Sequence, residues 1–260
     1  MDNYFIRGKL HRLKVICLTA ILSIALTIGG CNSLAQSDNS EVTPELEKQV
    51  LKIIRENPEI IIESVQAYQQ QQTQQLQVGQ QEILKDFKTN PEAKIGNSPT
   101  IGSESQKIVL FEFSDFQCPF CEKVQENLKQ FMQRHKDRVT LVFKHLPLTQ
   151  IHPQAIPAAR AAWAAQQQGK FWEYHDALFE QQAELGEDLY IQIADELNLD
   201  LEQFNSDRKS EAVIAQLKED IELAQKIGVS GTPFFILNGE TFSGAVKVSE
   251  MEEALAKVSQ

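Results

Sequence analysis

In the run Ile108-Val109-Leu110-Phe111-Glu112-Phe113-Ser114-Asp115-Phe116-Gln117-Cys118-Pro119-Phe120-Cys121, an apolar segment gives way to a cysteine pair at the head of a helical stretch. Ile108–Phe113 reads as a strand, and the helix beyond it extends to about His135. A cysteine pair opening a helix puts one sulfur at the positive end of the helix dipole, with backbone N–H groups aimed at it. That placement favours thiolate over thiol, and it keeps the second sulfur near enough to close a disulfide. The layout is that of a thiol–disulfide exchange site. The same spacing also supplies two ligands of a tetrahedral zinc site.

Four cysteines occur in the chain: Cys17, Cys31, Cys118 and Cys121. Cys17 lies in an N-terminal segment with the marks of an export signal. Arg7, Lys9, Arg12 and Lys14 form a basic region ahead of the apolar run Val15–Ile28. That run is shorter than the roughly 20 residues of a comfortable membrane span. It ends in Ile28-Gly29-Gly30-Cys31, which resembles a bacterial lipobox, so residues 1–30 are expected to be removed and Cys31 to be lipidated. An ordinary cleaved signal and an uncleaved anchor are the other readings. The mature chain would keep one isolated pair, Cys118 and Cys121, in an exported and oxidising setting. A closed zinc site needs four ligands, and neither a second such pair nor closely spaced histidines accompany it: His135, His145, His152 and His175 are scattered.

Removing residues 1–30 takes away four basic residues and one acidic residue, which moves the formal charge from −11 to −14. No basic patch survives, which argues against nucleic-acid binding. Residues 31–42 are polar and suit a tether. Residues 43–88 read as a helical arm: Thr43-Pro44 and Asn57-Pro58 each open a helix, and Leu46, Val50, Ile53 and Ile54, then Ile61, Val65 and Tyr68, recur at helical spacing. The glutamines between Gln69 and Gln75 are read as an exposed polar helix face rather than a disordered tract. The apolar stripe calls for a partner surface, either in its own domain or on neighbouring subunits.

A stretch rich in Pro and Gly, Thr89–Gln106, marks a boundary, and residues 95–260 form the second part. After the first strand and helix comes a strand near Val139–His145, then a helical block over about 148–227 with breaks near Gly169, Gly186 and Asp200. The chain closes with Pro233, a strand Phe234–Leu237, an Asn238-Gly239 hairpin turn, a strand near Thr241–Phe242 and a helix from Ser249.

This order is an α/β thioredoxin fold with a helical insertion, preceded by the helical arm. Three segments resemble DsbA-like thiol oxidoreductases. Phe113–Cys121 resembles their active-site run and Gly231-Thr232-Pro233 their cis-proline loop. Gln168-Gly169-Lys170-Phe171-Trp172 with His175-Asp176-Ala177-Leu178-Phe179 resembles the start of their insertion. The resemblance covers about Pro99–Gln260. Ile54-Arg55-Glu56-Asn57-Pro58-Glu59-Ile60 resembles the arm of the suppressor-of-copper-sensitivity branch, whose members can assemble through it, which implies a homo-oligomer through residues 43–88.

Cys118 is read as the attacking nucleophile and Cys121 as the resolving thiol. The resemblance implies a cis peptide before Pro233, with Thr232 facing the disulfide, and places a buried proton-handling carboxylate at Glu112. A glutamate facing water and a plain turn proline are the plainer readings of those two positions. Phe120 offers no hydrogen-bond donor, so thiolate stabilisation should be less extreme than in relatives with histidine there. Phe116, Phe120, Thr232 and Pro233 are the expected substrate-binding residues, with Phe234 beside them, while Phe235, Trp163 and Trp172 read as packing. No cofactor is implied.

The expected activity is thiol:disulfide exchange on unfolded or misoxidised exported proteins, most simply as an oxidase on the periplasmic side of a bacterial membrane. A membrane redox partner, a quinone-linked oxidase or a thiol reductase, would reset the pair. An isomerase and a reductase are alternatives within the same chemistry. A copper- or zinc-handling protein using the same soft thiolates is an alternative of another class.

Overall fold

A computed structural model of the chain describes residues 43–259. The expected signal (1–30), the lipidation site Cys31 and the tether (31–42) lie outside the described residues. The described chain falls into two compact units divided between Val65 and Gln66.

The first unit holds helix α1 (Pro44–Glu56) and the first two turns of α2 (Pro58–Thr89). The Thr43 hydroxyl accepts from the Leu46 N–H at 3.3 Å and Pro44 occupies the first turn, where its missing N–H is harmless. Asn57 closes α1, and Pro58 starts α2. Leu46, Val50, Ile53, Ile61 and Val65 are all more than a third exposed.

The second unit begins inside α2, which runs unbroken through the exposed glutamines and reaches Phe87, a fully buried side chain. Ile83, Leu84 and Phe87 pack with Val109, Phe111, Phe113, Ala224, Ile227 and Ile236. The division between the two units thus falls inside α2. Ile83, Leu84 and Phe87 share one helix face, and Phe87 meets Phe111 edge-to-face at 4.8 Å, which ties the last turns of α2 to the sheet.

Five strands form one sheet. The strands are β1 (Thr100–Gly102), β2 (Ile108–Ser114), β3 (Val139–His145), β4 (Phe234–Leu237) and β5 (Glu240–Ser243), in the order β1-β3-β2-β4-β5. Only β2 and β3 are parallel, and the link between them is α4 (Pro119–His135). A short helix α3 (Glu92–Ile95) and β1 occupy the Pro- and Gly-rich stretch read as a boundary. β1 escapes sequence reading because three exposed residues on a sheet edge show no alternation. Gly102 makes its close approach possible: at φ 104° a Cβ there would collide with the Val139 carbonyl.

β2 is the central strand, with β3 and β4 on its edges, and helices cover both its faces, which explains its near-continuous apolar run. Val109, Phe111 and Phe113 face the α2 side. Leu110 faces Val124, Leu128 and Phe131 of α4 and Met251 and Leu255 of the last helix, α10 (Val248–Val258). The insertion comprises α5 (Ala155–Gln167), α6 (Phe171–Glu180), a 3-10 turn (Gln182–Glu184), α7 (Glu187–Glu196), α8 (Leu201–Asp207) and α9 (Glu211–Lys226). Seven buried alanines on α5 let its neighbours approach closely. In the β4–β5 turn Asn238 and Gly239 both take positive φ, and the Asn238 side chain accepts from the Val109 N–H at 2.8 Å, tying the hairpin to β2.

Candidate active site

Cys118 is the N-cap of α4, with Pro119 in the first turn, so the helix begins at the first sulfur. The loop ahead of it is held from several directions. Asp115, nearly fully buried, accepts from the Gln117 N–H with one oxygen, and from the Leu148 N–H and the His152 ring at 2.7 Å with the other. The Gln182 amide donates to the Phe116 and Cys118 carbonyls at 2.9 and 3.0 Å. These bonds staple the cysteine loop to the insertion. Sequence reasoning missed Asp115, His152 and Gln182, because partners 33 to 66 residues apart leave no local signature.

Both cysteines are free thiols, and they differ sharply in access: Cys118 is 4 % exposed and Cys121 is 0 %. Only Cys118 is reachable from outside. A hydrogen bond from the Cys121 thiol drives the Cys118 pKa down to about 5, helped by the Thr232 side chain and the Phe120 and Cys121 backbone N–H groups, against the opposing effect of burial. Cys121 moves the other way. Burial first, and then the neighbouring Cys118, push its pKa far above the ordinary thiol value. The Cys118 value falls between about 3.5 for DsbA and about 7 for thioredoxin.

The Thr232–Pro233 peptide is cis. It brings the Thr232 carbonyl to 3.4 Å from the Cys118 sulfur, which donates to it in the thiol form. Pro233 itself is buried, and its carbonyl accepts from the Gly244 N–H.

Glu112 lies in the middle of β2, opposite Phe143 on β3 and Phe235 on β4, and it is 0 % exposed. It does not face water. One carboxylate oxygen accepts from the Gln125 amide at 3.0 Å, and the same amide nitrogen reaches the Cys121 carbonyl at 3.2 Å. Burial raises the Glu112 pKa, opposed by the nearby His175 and by the side chains of Ser114 and Gln125.

Of the expected substrate-binding residues, Phe116 lies elsewhere. Phe116 is 1 % exposed and stacks on Phe143 at 5.2 Å, so it is a core side chain and offers no surface to a substrate. The loop turns it inward because β3 and the insertion together supply an aromatic floor, Phe143 from the strand and His175 and Phe179 from α6. Phe120, at 56 % exposure, and the half-buried Phe234 remain at the surface. Phe235 and Trp163 are buried, and Trp172 donates its indole N–H to the Thr100 carbonyl. Among the described residues no three His, Cys, Asp or Glu side chains converge as a metal site.

The model of the family described as "DSBA-like thioredoxin domain" matches residues 109–256. A thioredoxin-like oxidoreductase from Silicibacter pomeroyi is 31 % identical with a TM-score of 0.58, over 62 % of this chain and 92 % of that one. Proteus mirabilis ScsC in a transitional conformation is 22 % identical with a TM-score of 0.58, over 85 % of this chain and 98 % of that one. Among curated sequences, the Na(+)/H(+) antiporter NhaA 3 of Salinispora tropica is 36 % identical over 157 residues, 59 % of this chain. The match spans only 24 % of the antiporter's length.

Proposed function

The chain belongs to the DSBA-like thioredoxin-domain family of thiol–disulfide oxidoreductases, and on that footing we propose that it exchanges disulfides of exported proteins through Cys118 and Cys121, chiefly as an oxidase. The observation that carries this reading is the split between the sulfurs, one thiol held at about 5 and reachable, the other buried and pushed up. A stabilised Cys118 thiolate favours the reduced protein, which makes the Cys118–Cys121 disulfide a good oxidant.

In the oxidase direction a substrate thiolate attacks Cys118. The Cys118–Cys121 bond breaks, a substrate–Cys118 disulfide forms, and Cys121 leaves as a thiolate that takes up a proton. A second substrate thiolate then attacks the first substrate sulfur, forming the substrate disulfide and releasing the Cys118 thiolate. Two electrons pass from substrate to protein, and the membrane redox partner removes them. Phe120 and the backbone beside Pro233 offer the surface on which an unfolded chain can lie, and Glu112 supplies the proton to Cys121.

A redox titration of the full chain against glutathione buffers tests this. A two-electron transition at about −120 to −180 mV supports donation or shuffling of disulfides. A value near about −270 mV would make the protein a reductase. No reversible transition, with metal bound to the reduced protein, would favour the metal-handling alternative.

An isomerase is the second reading, and the exposed apolar residues of the first unit favour it, because subunits joined there would enclose a substrate cleft. Export and attachment through Cys31 complete the proposal. Mass spectrometry finding an unmodified Cys31, or cleavage elsewhere, would remove the anchor.

A further inference from the structure

Beneath Cys121, the sheet face toward α4 carries polar atoms that the apolar core leaves without partners. Glu112 and Ser114 on β2 are in register with Phe143 and His145 on β3, so the four side chains share this face. Both ring nitrogens of His145 are buried with no hydrogen-bond partner among the described residues, and the buried Ser114 hydroxyl lies close enough to Glu112 and to the Cys121 sulfur to lower the pKa of each. Nε2 of His175, from α6, is in the same condition as the His145 nitrogens; its ring is 2 % exposed and lies 5.2 Å from that of Phe143. Buried polar atoms in native proteins are bonded to protein or to ordered water, so a row of them marks a polar track through the core.

The track reaches the surface at one end. His175 and Gln125 form part of the wall of a cavity of about 530 Å³, whose other walls include Ile101, Leu128, Met132 and Trp172. Gln125 is the residue already bonded to Glu112 and to the Cys121 carbonyl. The cavity thus abuts the groups nearest the resolving sulfur, on a face of α4 separate from the reachable Cys118.

We propose that this row is the route by which Cys121 exchanges its proton with solvent, with His175 as the positioning residue that passes protons between the cavity and Glu112. The inference rests on the disulfide-exchange reading and adds a residue to it. When the substrate thiolate breaks the Cys118–Cys121 bond, the electron pair leaves on Cys121. Neutral Glu112 then gives its proton to Cys121, and His175 returns one to Glu112 from the cavity. In the reverse direction Cys121 attacks and the proton runs outward. No electron moves through His175.

The groups facing His175 fit this role. On its own helix, Asp176 binds Nδ1 at 2.9 Å, which leaves Nε2 to the interior, and Lys129 of α4 holds Asp176 at 3.0 Å. Lys129 also lies 3.9 Å from Glu180, and Lys136 and Asp137 stand at the cavity wall. From β2 comes Glu112, whose ionised form the charge of His175 favours. From β3 comes His145, whose pKa burial and neighbouring charges hold down to about 3, so it stays neutral and can align a proton path but not carry one.

The test is the rate at which excess dithiol opens the Cys118–Cys121 disulfide in the full chain, followed by stopped-flow fluorescence across pH. His175→Ala should slow opening by about 10²-fold or more and remove the pH limb of proton delivery. Added imidazole, small enough for the cavity, should restore the rate. An unchanged pH profile, or a loss that imidazole does not restore, would overturn the proposal. If His175→Ala does not fold, His175→Gln keeps a donor of similar reach but carries no proton, and a wild-type profile in that variant overturns the proposal equally. A wild-type protein whose disulfide does not react with dithiol would instead defeat the exchange reading itself.

Discussion

Cys118 and Cys121 share one helix turn but have opposite environments, and a titration can separate them. In the reduced protein the folded Cys118 pKa, about 5, lies below the unfolded thiol value of about 8.5. Its contribution to stability is therefore fully present above about pH 8.5 and is lost as pH falls through about 5. Thiolate ultraviolet absorbance should titrate near that lower value, and a midpoint at the ordinary thiol value would contradict the geometry. Cys118→Ser should abolish exchange, while Cys121→Ser should accumulate a mixed disulfide visible on a non-reducing gel. Glu112 works in the other direction. Burial raises its pKa, so the folded chain keeps a proton that the unfolded chain loses above about pH 4.3. Stability falls from there as pH rises, until the folded carboxyl ionises as well. Glu112→Gln should gain stability relative to wild type on going from pH 4 to pH 7, and it should flatten the pH dependence of exchange. Phe116→Ala tests the revised reading of that ring: a core position predicts a loss of about 3–5 kcal/mol by denaturant unfolding, whereas a rim position would leave stability near wild type.

Among the elements, the join between insertion and sheet depends on a buried ion pair. Lys144 of β3 lies 3.2 Å from Asp220 of α9, both almost wholly buried. Asp220 also accepts from the His145 N–H at 3.0 Å, and Lys144 donates to the Ile95 carbonyl. Removing one member leaves the other charge buried and unpaired. Asp220→Ala should therefore cost about 3–5 kcal/mol, while replacing both residues with apolar side chains of similar volume should recover much of it. A small loss from the single substitution would mean that the pair is solvated. The main elements were legible in advance because their patterns are strong: the apolar run of β2, the helical spacing of α4, the Asn238-Gly239 turn. β1 and α3 were not, since neither is long enough to show a period.

For the molecule as a whole, the apolar side chains of residues 43–65 set the expectation. Leu46, Val50, Ile53, Ile61 and Val65 remain exposed on one chain, more than scattered surface residues require. Sedimentation of the full chain should show an oligomer, and Ile53→Glu with Ile61→Glu should shift it toward monomer while leaving dithiol reactivity of Cys118 intact. A wild-type monomer would count against the isomerase reading.

Sequence alone determined the chemistry and the order of parts. A cysteine pair at a helix start, a Thr-Pro ahead of a hairpin and a helical block between them are local patterns, and local backbone preferences enforce them. The tertiary structure decided which groups surround the sulfurs. Whether Glu112 faced water or protein, whether Phe116 lay at the rim or in the core, and which side chains hold the loop all depend on contacts between residues far apart in the chain. Burial and long-range hydrogen bonds arise only when those segments pack; burial pushes Cys121 up, while the hydrogen bond from Cys121 draws Cys118 down against its own burial.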